Sequence, residues 1–217
     1  MFILDHVTYK SILNIEHLHI PKGKTTCILG ESGCGKTTLL KLLNKFISPD
    51  QGMISFDGVP LNDQDTIPLR RKVVMLGQTP AIFPGTIEDN LQIGLEFSEQ
   101  YPASSHELNA VLRSIQLDKS LTDDAERLSG GEKQRLALGR ILLMQPDTIL
   151  LDEPSSSLDR NTEDSLIRML VDAMDTRDKS IVMVTHTREI AFRYADRIVE
   201  MSAGKVVKSG EVNQWTE

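Results

Sequence analysis

Apolar and polar residues alternate along two N-terminal runs, Phe2 to Tyr9 and Ile12 to Ile20, with Lys10 and Ser11 between them. A period of two puts one face inward and one outward, so the pattern predicts two strands joined as a hairpin. Thr25-Thr26-Cys27-Ile28-Leu29 is β-branched and apolar throughout, as a buried strand is, and Thr38 to Leu43 is built of helix formers. A breaker cluster, Ser48 to Gly52, leads into a strand at Met53 to Phe56 that ends in the Asp57-Gly58 turn, and Val73 to Leu76 is a short buried strand. From Gln78 to about Arg127 no strand signal appears. Glu88 to Ile93 and Glu107 to Ile115 have helical spacing, and Ser104 with Glu107 forms a capping box. Leu128 to Arg135 opens a further helix with Ser129 at its start. An apolar strand at Asp147 to Asp152, a helix from Thr162 to Asp175, a strand at Ser180 to Thr185 and a closing hairpin at Ile198 to Val207 follow. Strands alternating with helices predict an α/β fold with a mainly parallel sheet and an antiparallel β-rich N-terminal part. Residues 1–77 and 128–217 are expected to form this core, and residues 78–127 an inserted helical lobe.

Between the Thr25 strand and the Thr38 helix lies Gly30-Glu31-Ser32-Gly33-Cys34-Gly35-Lys36-Thr37-Thr38, which satisfies the spacing of a glycine, four free positions and Gly-Lys-Thr. At a strand-to-helix turn this pattern is a phosphate cradle. The glycines let successive backbone N–H groups face an oxyanion, and the helix adds the positive end of its dipole. Lys36 is expected to reach the terminal phosphates of a nucleotide and the Thr37 hydroxyl to ligate Mg²⁺. Further polar residues stand where strands end. Gln78 follows the Val73 strand, Asp152 and Glu153 end the Asp147 strand, and His186 follows the Ser180 strand. Open parallel sheets hold ligands at that edge. A carboxylate there can hold Mg²⁺ through water, so Asp152 takes that role, and Glu153 beside it can take a proton from an attacking water. The competing reading of the pair is a solvated strand end.

The composition excludes several classes. The 217 residues are 40% hydrophobic and 25% charged, with a net charge of −7. This is a globular composition whose acidity argues against clamping nucleic acid. No apolar run approaches the ~20 residues that span a bilayer, and Met1 to His6 carries no basic, then apolar, leader. The chain is therefore expected to be neither secreted nor membrane-spanning by itself. Cys27 and Cys34, seven apart across a tight turn, read as free thiols of a reducing compartment, with Cys34 a small filler rather than a reactive group. His17 and His19 share a strand face, as a metal pair or as a solvated surface, and Tyr9 stacks on an adenine or packs as a strand aromatic.

With the cradle, Gln78, Leu128-Ser129-Gly130-Gly131-Glu132, Asp152-Glu153, Ser157-Leu158-Asp159 and His186 in this order, nearly the whole chain resembles the ATP-binding subunits of ABC transporters. It looks most like compact, stand-alone bacterial subunits, including the iron- or metal-export type. The resemblance implies a P-loop NTPase core that binds ATP and Mg²⁺. It implies that Gln78 senses Mg²⁺ and water, that Glu153 is the catalytic base and that His186 contacts the γ-phosphate. It further implies that the Leu128–Glu132 signature, through Ser129 and Gly131, reaches ATP bound to a second copy of the chain, with Asp159 at the dimer seam. An integral membrane subunit is the expected partner, docking near Phe83, with the chain peripheral on the cytoplasmic face. The alternatives are a soluble ABC-type ATPase of repair or translation and a non-catalytic regulatory cassette.

Overall fold

The alternating N-terminal runs form β1 (Phe2–Tyr9) and β2 (Leu13–Ile20), an antiparallel pair from Phe2 opposite Ile20 to Tyr9 opposite Leu13. The computed structural model describes residues 1–154, 160–174 and 178–215, without the side chains of residues 160–162. β4 (Gln51–Phe56) pairs with the other edge of β1, and the two-residue β5 (Val59–Pro60) with β4, completing an antiparallel sheet of order β2-β1-β4-β5; β3 (Thr25–Gly30) lies in a second sheet. β4 begins inside the expected breaker cluster. A register shift between Asp5 and Thr8 of β1 accommodates Gly52 within the ladder.

The second sheet has the order β10-β9-β3-β8-β7-β6. It adds β6 (Val73–Leu76), β7 (Thr148–Asp152), β8 (Ser180–Val184), β9 (Arg197–Ser202) and β10 (Lys205–Glu211). The pairs β3–β8, β3–β9 and β7–β8 are parallel, and β9–β10 is an antiparallel hairpin. All residues of β7 and β8 are buried, as in a parallel sheet covered on both faces. α1 (Lys36–Leu43) buries Leu39, Leu40, Leu42 and Leu43 in a core shared with Ile28, Leu150, Val182 and the mutually tilted rings of Phe2 and Phe56. The short α2 (Thr66–Lys72) and α7 (Arg188–Tyr194), absent from the sequence reading, complete the helices of this part.

The chain divides into two compact units, Met1–Met75 with Asp147–Glu153 and Met174–Glu217, and Leu76–Pro146 with Pro154–Ala173. The second contains α3 (Ile87–Phe97), α4 (Ser105–Ser114), α5 (Gly130–Met144) and nearly all of α6 (Arg160–Met174). α5 and α6 thus cluster with the lobe, whereas the sequence reading put residues 128–217 in the core. Packing explains the difference for α5. A side chain at Gly139 would sit 2.8 Å from Ile115 Cδ1 and 3.2 Å from Leu91 Cδ2, so α5 lies against the lobe at backbone distance. Among the described residues, three helices of this unit begin with capping boxes, Thr86 with Asp89, Ser104 with Glu107, and Ser129 with Glu132. Each places a carboxylate on otherwise unpaired N–H groups.

Candidate functional site

The cradle occupies the turn between β3 and α1. Gly35 is the residue before the helix, with φ of 104°, and no side chain caps the N–H groups that follow it. A side chain there would also press on Leu13 Cδ2 at 2.6 Å. Gly30 is equally constrained, because a Cβ would overlap the Met201 carbonyl and lie 2.7 Å from Cys34 Sγ. Cys34 is therefore a buried packing residue, as is Cys27, and both are free thiols. Burial without a polar partner pushes the Cys27 thiol up to about 12.

Lys36 is 6% exposed, and its Nζ donates to the carbonyls of Gly30 at 2.8 Å and Glu31 at 2.9 Å. The ammonium is thereby held within the loop by its first two carbonyls. Glu31, Ser32 and Gly33 are exposed, Thr37 is exposed and Thr38 half-buried. The Thr37 hydroxyl donates to Asp152 Oδ1 at 3.0 Å, joining the first turn of α1 to the end of β7. A hydroxyl and a carboxylate at this spacing are hard oxygen donors suited to Mg²⁺, and the uncapped N–H groups with Lys36 suit a polyphosphate. The residues present fit Mg²⁺ and a nucleoside triphosphate.

Asp152 is 5% exposed. Burial raises its carboxyl above the ordinary range and Glu153 adds to the rise, while the Thr37 hydrogen bond and the charges of Lys41 and Lys36 oppose it. A carboxyl whose folded value exceeds its unfolded one keeps its proton longer in the native state. Its stability contribution is thus present at low pH and is lost as pH rises through the raised value. Asp152→Asn is therefore expected to raise the melting temperature of the metal-free protein at neutral pH, while abolishing Mg²⁺-dependent activity. Calorimetry between pH 4 and 8 checks this, and an unchanged pH slope of stability overturns it.

Glu153 is half-buried and sits just beyond β7 with φ of 49°, and its N–H donates to the Val184 carbonyl at 3.1 Å. A left-handed non-glycine residue carries strain of order 1 kcal/mol, and such strain gathers at functional positions. The register that pairs Asp152 with Val184 makes β7 and β8 end together, so Thr185 and the exposed His186 leave the same edge as Asp152 and Glu153. Thr185, which the sequence reading passed over, is 4% exposed and its hydroxyl accepts from Thr187 N–H at 3.1 Å, turning the chain after His186.

The other expected site residues lie in the second unit. Gln78 is exposed, two residues beyond β6. Leu128 is buried, Ser129 and Gly130 are exposed, and Gly131 is half-buried at the start of α5. Glu132 completes the capping box of that helix with Ser129. Its Oε2 accepts from Ser129 N–H at 2.8 Å, and Lys119 Nζ lies 3.2 Å from Oε1. Asp159, with Ser157 and Leu158, falls outside the described residues.

The structure bears on three residues for which the sequence left two readings. Tyr9 packs against the core of the first unit with Lys10 Nζ 5.2 Å from its ring, which is the strand-aromatic reading. His17 Nδ1 pairs with Asp5 Oδ1 at 2.7 Å, beside a cavity of about 470 Å³ also lined by His6, Glu16 and Lys205. Among the described residues no group of three histidine, cysteine or acidic side chains is placed to hold a metal. Phe83 is half-buried rather than exposed, edge-on to Phe97 at 5.9 Å, with the Arg140 guanidinium 5.0 Å from its ring.

Comparison with known proteins agrees with this geometry. The choline transport ATP-binding protein OpuBA of Bacillus subtilis (strain 168) is 38% identical over 220 residues, covering 97% of this chain and 57% of OpuBA. Protein STAR1 of Oryza sativa subsp. japonica is 38% identical over 204 residues, 92% of this chain and 58% of STAR1. The chain thus spans little more than half the length of these curated relatives. It spans 75% of the phosphate import ATP-binding protein PstB 2 of Natronomonas pharaonis, at 35% identity. Among solved structures, the dimeric post-hydrolysis state of the ATP-binding cassette MJ0796 bound to ADP and Pi superposes with a TM-score of 0.86 at 27% identity, over 98% of this chain and 99% of that one. Residues 13–156, from β2 through the cradle and the Ser129 helix to just past Glu153, match the ABC transporter family profile, and the chain belongs to the ABC transporter family of ATP-binding cassettes.

Proposed function

We propose that this chain is the ATP-binding and ATP-hydrolysing subunit of an ABC transporter, acting as an ATP-driven homodimer on the cytoplasmic face of an integral membrane subunit. The observation that carries the reading is the Thr37–Asp152 hydrogen bond, which ties the phosphate cradle to the strand that bears Glu153. Among the described residues no helix is long and apolar enough to cross a membrane. The pathway and the choice of substrate belong to the membrane partner. Relatives named for transport support this over a repair or translation ATPase. The presence of both Glu153 and His186 supports it over a regulatory cassette.

Phosphoryl transfer to water needs positioning and charge neutralisation more than covalent chemistry. The N–H groups before α1 and the Lys36 ammonium bind and orient the β- and γ-phosphates. Thr37 and Asp152 would hold Mg²⁺, which when bound neutralises developing phosphate charge. Glu153 accepts the proton of the attacking water at its carboxylate, and His186 donates to the γ-phosphate. Gln78 orients the water. Ser129 and Gly131 bind the γ-phosphate of ATP held by the second copy, with Asp159 at the seam, so each site needs two chains.

The test is sedimentation of a Glu153→Gln protein at micromolar concentration. With ATP and Mg²⁺ it is expected to run as a dimer and without nucleotide as a monomer, the dimer weakening as salt rises. A monomer in both conditions removes the dimer reading.

A further inference from the structure

In the second unit, the segment that follows Gln78 is gripped from two helices. From α3, the fully buried Asn90 uses its whole amide. Oδ1 accepts from Phe83 N–H at 2.9 Å, and Nδ2 donates to the carbonyls of Phe83 at 2.8 Å and Thr86 at 3.0 Å. From α5, Arg140 Nη2 donates to the Ala81 carbonyl at 2.6 Å, and the guanidinium lies over the Phe83 ring. The far end of the segment is pinned as well, because Ala125 N–H donates to Gly85 O at 3.0 Å and Ile87 N–H to Asp123 O at 2.9 Å. Only Thr79 and Pro80 separate Gln78 from the gripped residue Ala81.

Arg140 is an expensive way to build this contact. Its Nη1 is buried without a hydrogen-bond partner, and burial lowers the basicity of the guanidinium. An apolar side chain of similar length would fill the space without desolvating a charge. α5 even keeps Gly94 of α3 bare to admit it, since a Cβ there would lie 2.6 Å from Arg140 Cγ and 3.1 Å from Met144 Sδ. What methionine or leucine cannot supply is a directed bond to one carbonyl of an otherwise irregular segment. Arg140 also stands eleven residues, about 16 Å along a rigid helix, from Ser129.

We propose that Arg140 is a positioning residue for hydrolysis, locking the Gln78 segment to the helix that begins at Ser129, so that the placement of Gln78 is set by α5. The proposal rests on the role given to Gln78 above. Its signature is a loss in kcat with little change in KM, because Arg140 touches neither nucleotide nor metal.

The experiment is steady-state ATP hydrolysis by the full chain. Arg140→Met is expected to lower kcat about tenfold, in line with the cost of misplacing a catalytic group by a fraction of an ångström, with the KM for ATP within about twofold. More Mg²⁺ should be needed for half-maximal rate. Arg140→Lys, which can still reach the Ala81 carbonyl, should recover most of the rate. In a Gln78→Ala background Arg140→Met should add less than about twofold, since both act through one group. Hydrogen exchange should quicken at Thr79 to Phe83 in Arg140→Met and stay unchanged in α1. Should Arg140→Met fail to fold, Gly94→Ala, favourable within a helix, displaces Arg140 from the other side and is expected to show the same kcat loss. If Gln78→Ala is costly but Arg140→Met (or, in its place, Gly94→Ala) is silent, shifts KM, or is additive with it, the positioning role is overturned alone. A silent Gln78→Ala overturns the reading of Gln78 and the positioning role with it.

Discussion

Glu153→Gln is expected to lower the rate of ATP hydrolysis by about 10²-fold or more while leaving ATP affinity within a few-fold of the parent chain. The amide keeps the size and hydrogen-bonding reach of the carboxylate but cannot accept the proton of water. The strained backbone at Glu153, with φ of 49° and its N–H held by the Val184 carbonyl, fixes where the side chain leaves the sheet. Glutamine inherits that direction. Removal of a charge next to Asp152 also relieves one cause of the raised Asp152 carboxyl, so the variant should bind Mg²⁺-ATP at least as firmly. Single-turnover hydrolysis and equilibrium binding of a fluorescent ATP analogue, measured on one preparation, separate the two effects. A turnover within threefold of the parent removes Glu153 as the base.

Lys36→Ala should fail at the other step. The Lys36 ammonium sits inside the loop on the carbonyls of Gly30 and Glu31, 2.8 and 2.9 Å away, where a phosphate would find it already oriented. Loss of a charge-assisted contact to phosphate costs about 1.5–3 kcal/mol, or roughly 10- to 150-fold in affinity. Hydrolysis falls with it because the γ-phosphate is no longer neutralised. The fold should survive, since among the described residues the side chain of Lys36 bonds only to its own loop. Isothermal titration with Mg²⁺-ATP, beside a melting curve without nucleotide, distinguishes a binding defect from an unfolded chain. Parent-like affinity would overturn the phosphate role of Lys36.

The two variants bracket a site whose parts were unequally visible in the residues. The cradle was fully legible because its chemistry is local. Spacing, glycines and the flanking strand and helix all lie within about twenty residues, and backbone geometry follows from them. The same holds for the N-terminal hairpin, the capping box at Ser104, the helix start at Ser129, and the strand that delivers Asp152 and Glu153, since period and caps are short-range signals. The Thr86–Asp89 cap carried such a signal and was passed over because aspartate replaces the usual glutamate.

What the tertiary structure alone decided depends on which distant segments meet. That α5 packs with α3 and α4 is written in no periodicity, because a helix apolar on two sides can pack in more than one way; the space at Gly139 chose. Phe83 read as an exposed anchor, since nothing near it in sequence announces the two polar side chains that hold it, Asn90 seven residues on and Arg140 fifty-seven. Buried polar residues inside apolar helical runs were the available sign, and their partners are carbonyls that any sequence possesses. Hence the phosphate-binding chemistry was determined by local sequence, while the bond from Thr37 to Asp152 and the grip of Arg140 on Ala81 arose only from folding, which alone sets distances between residues 115 and 59 positions apart.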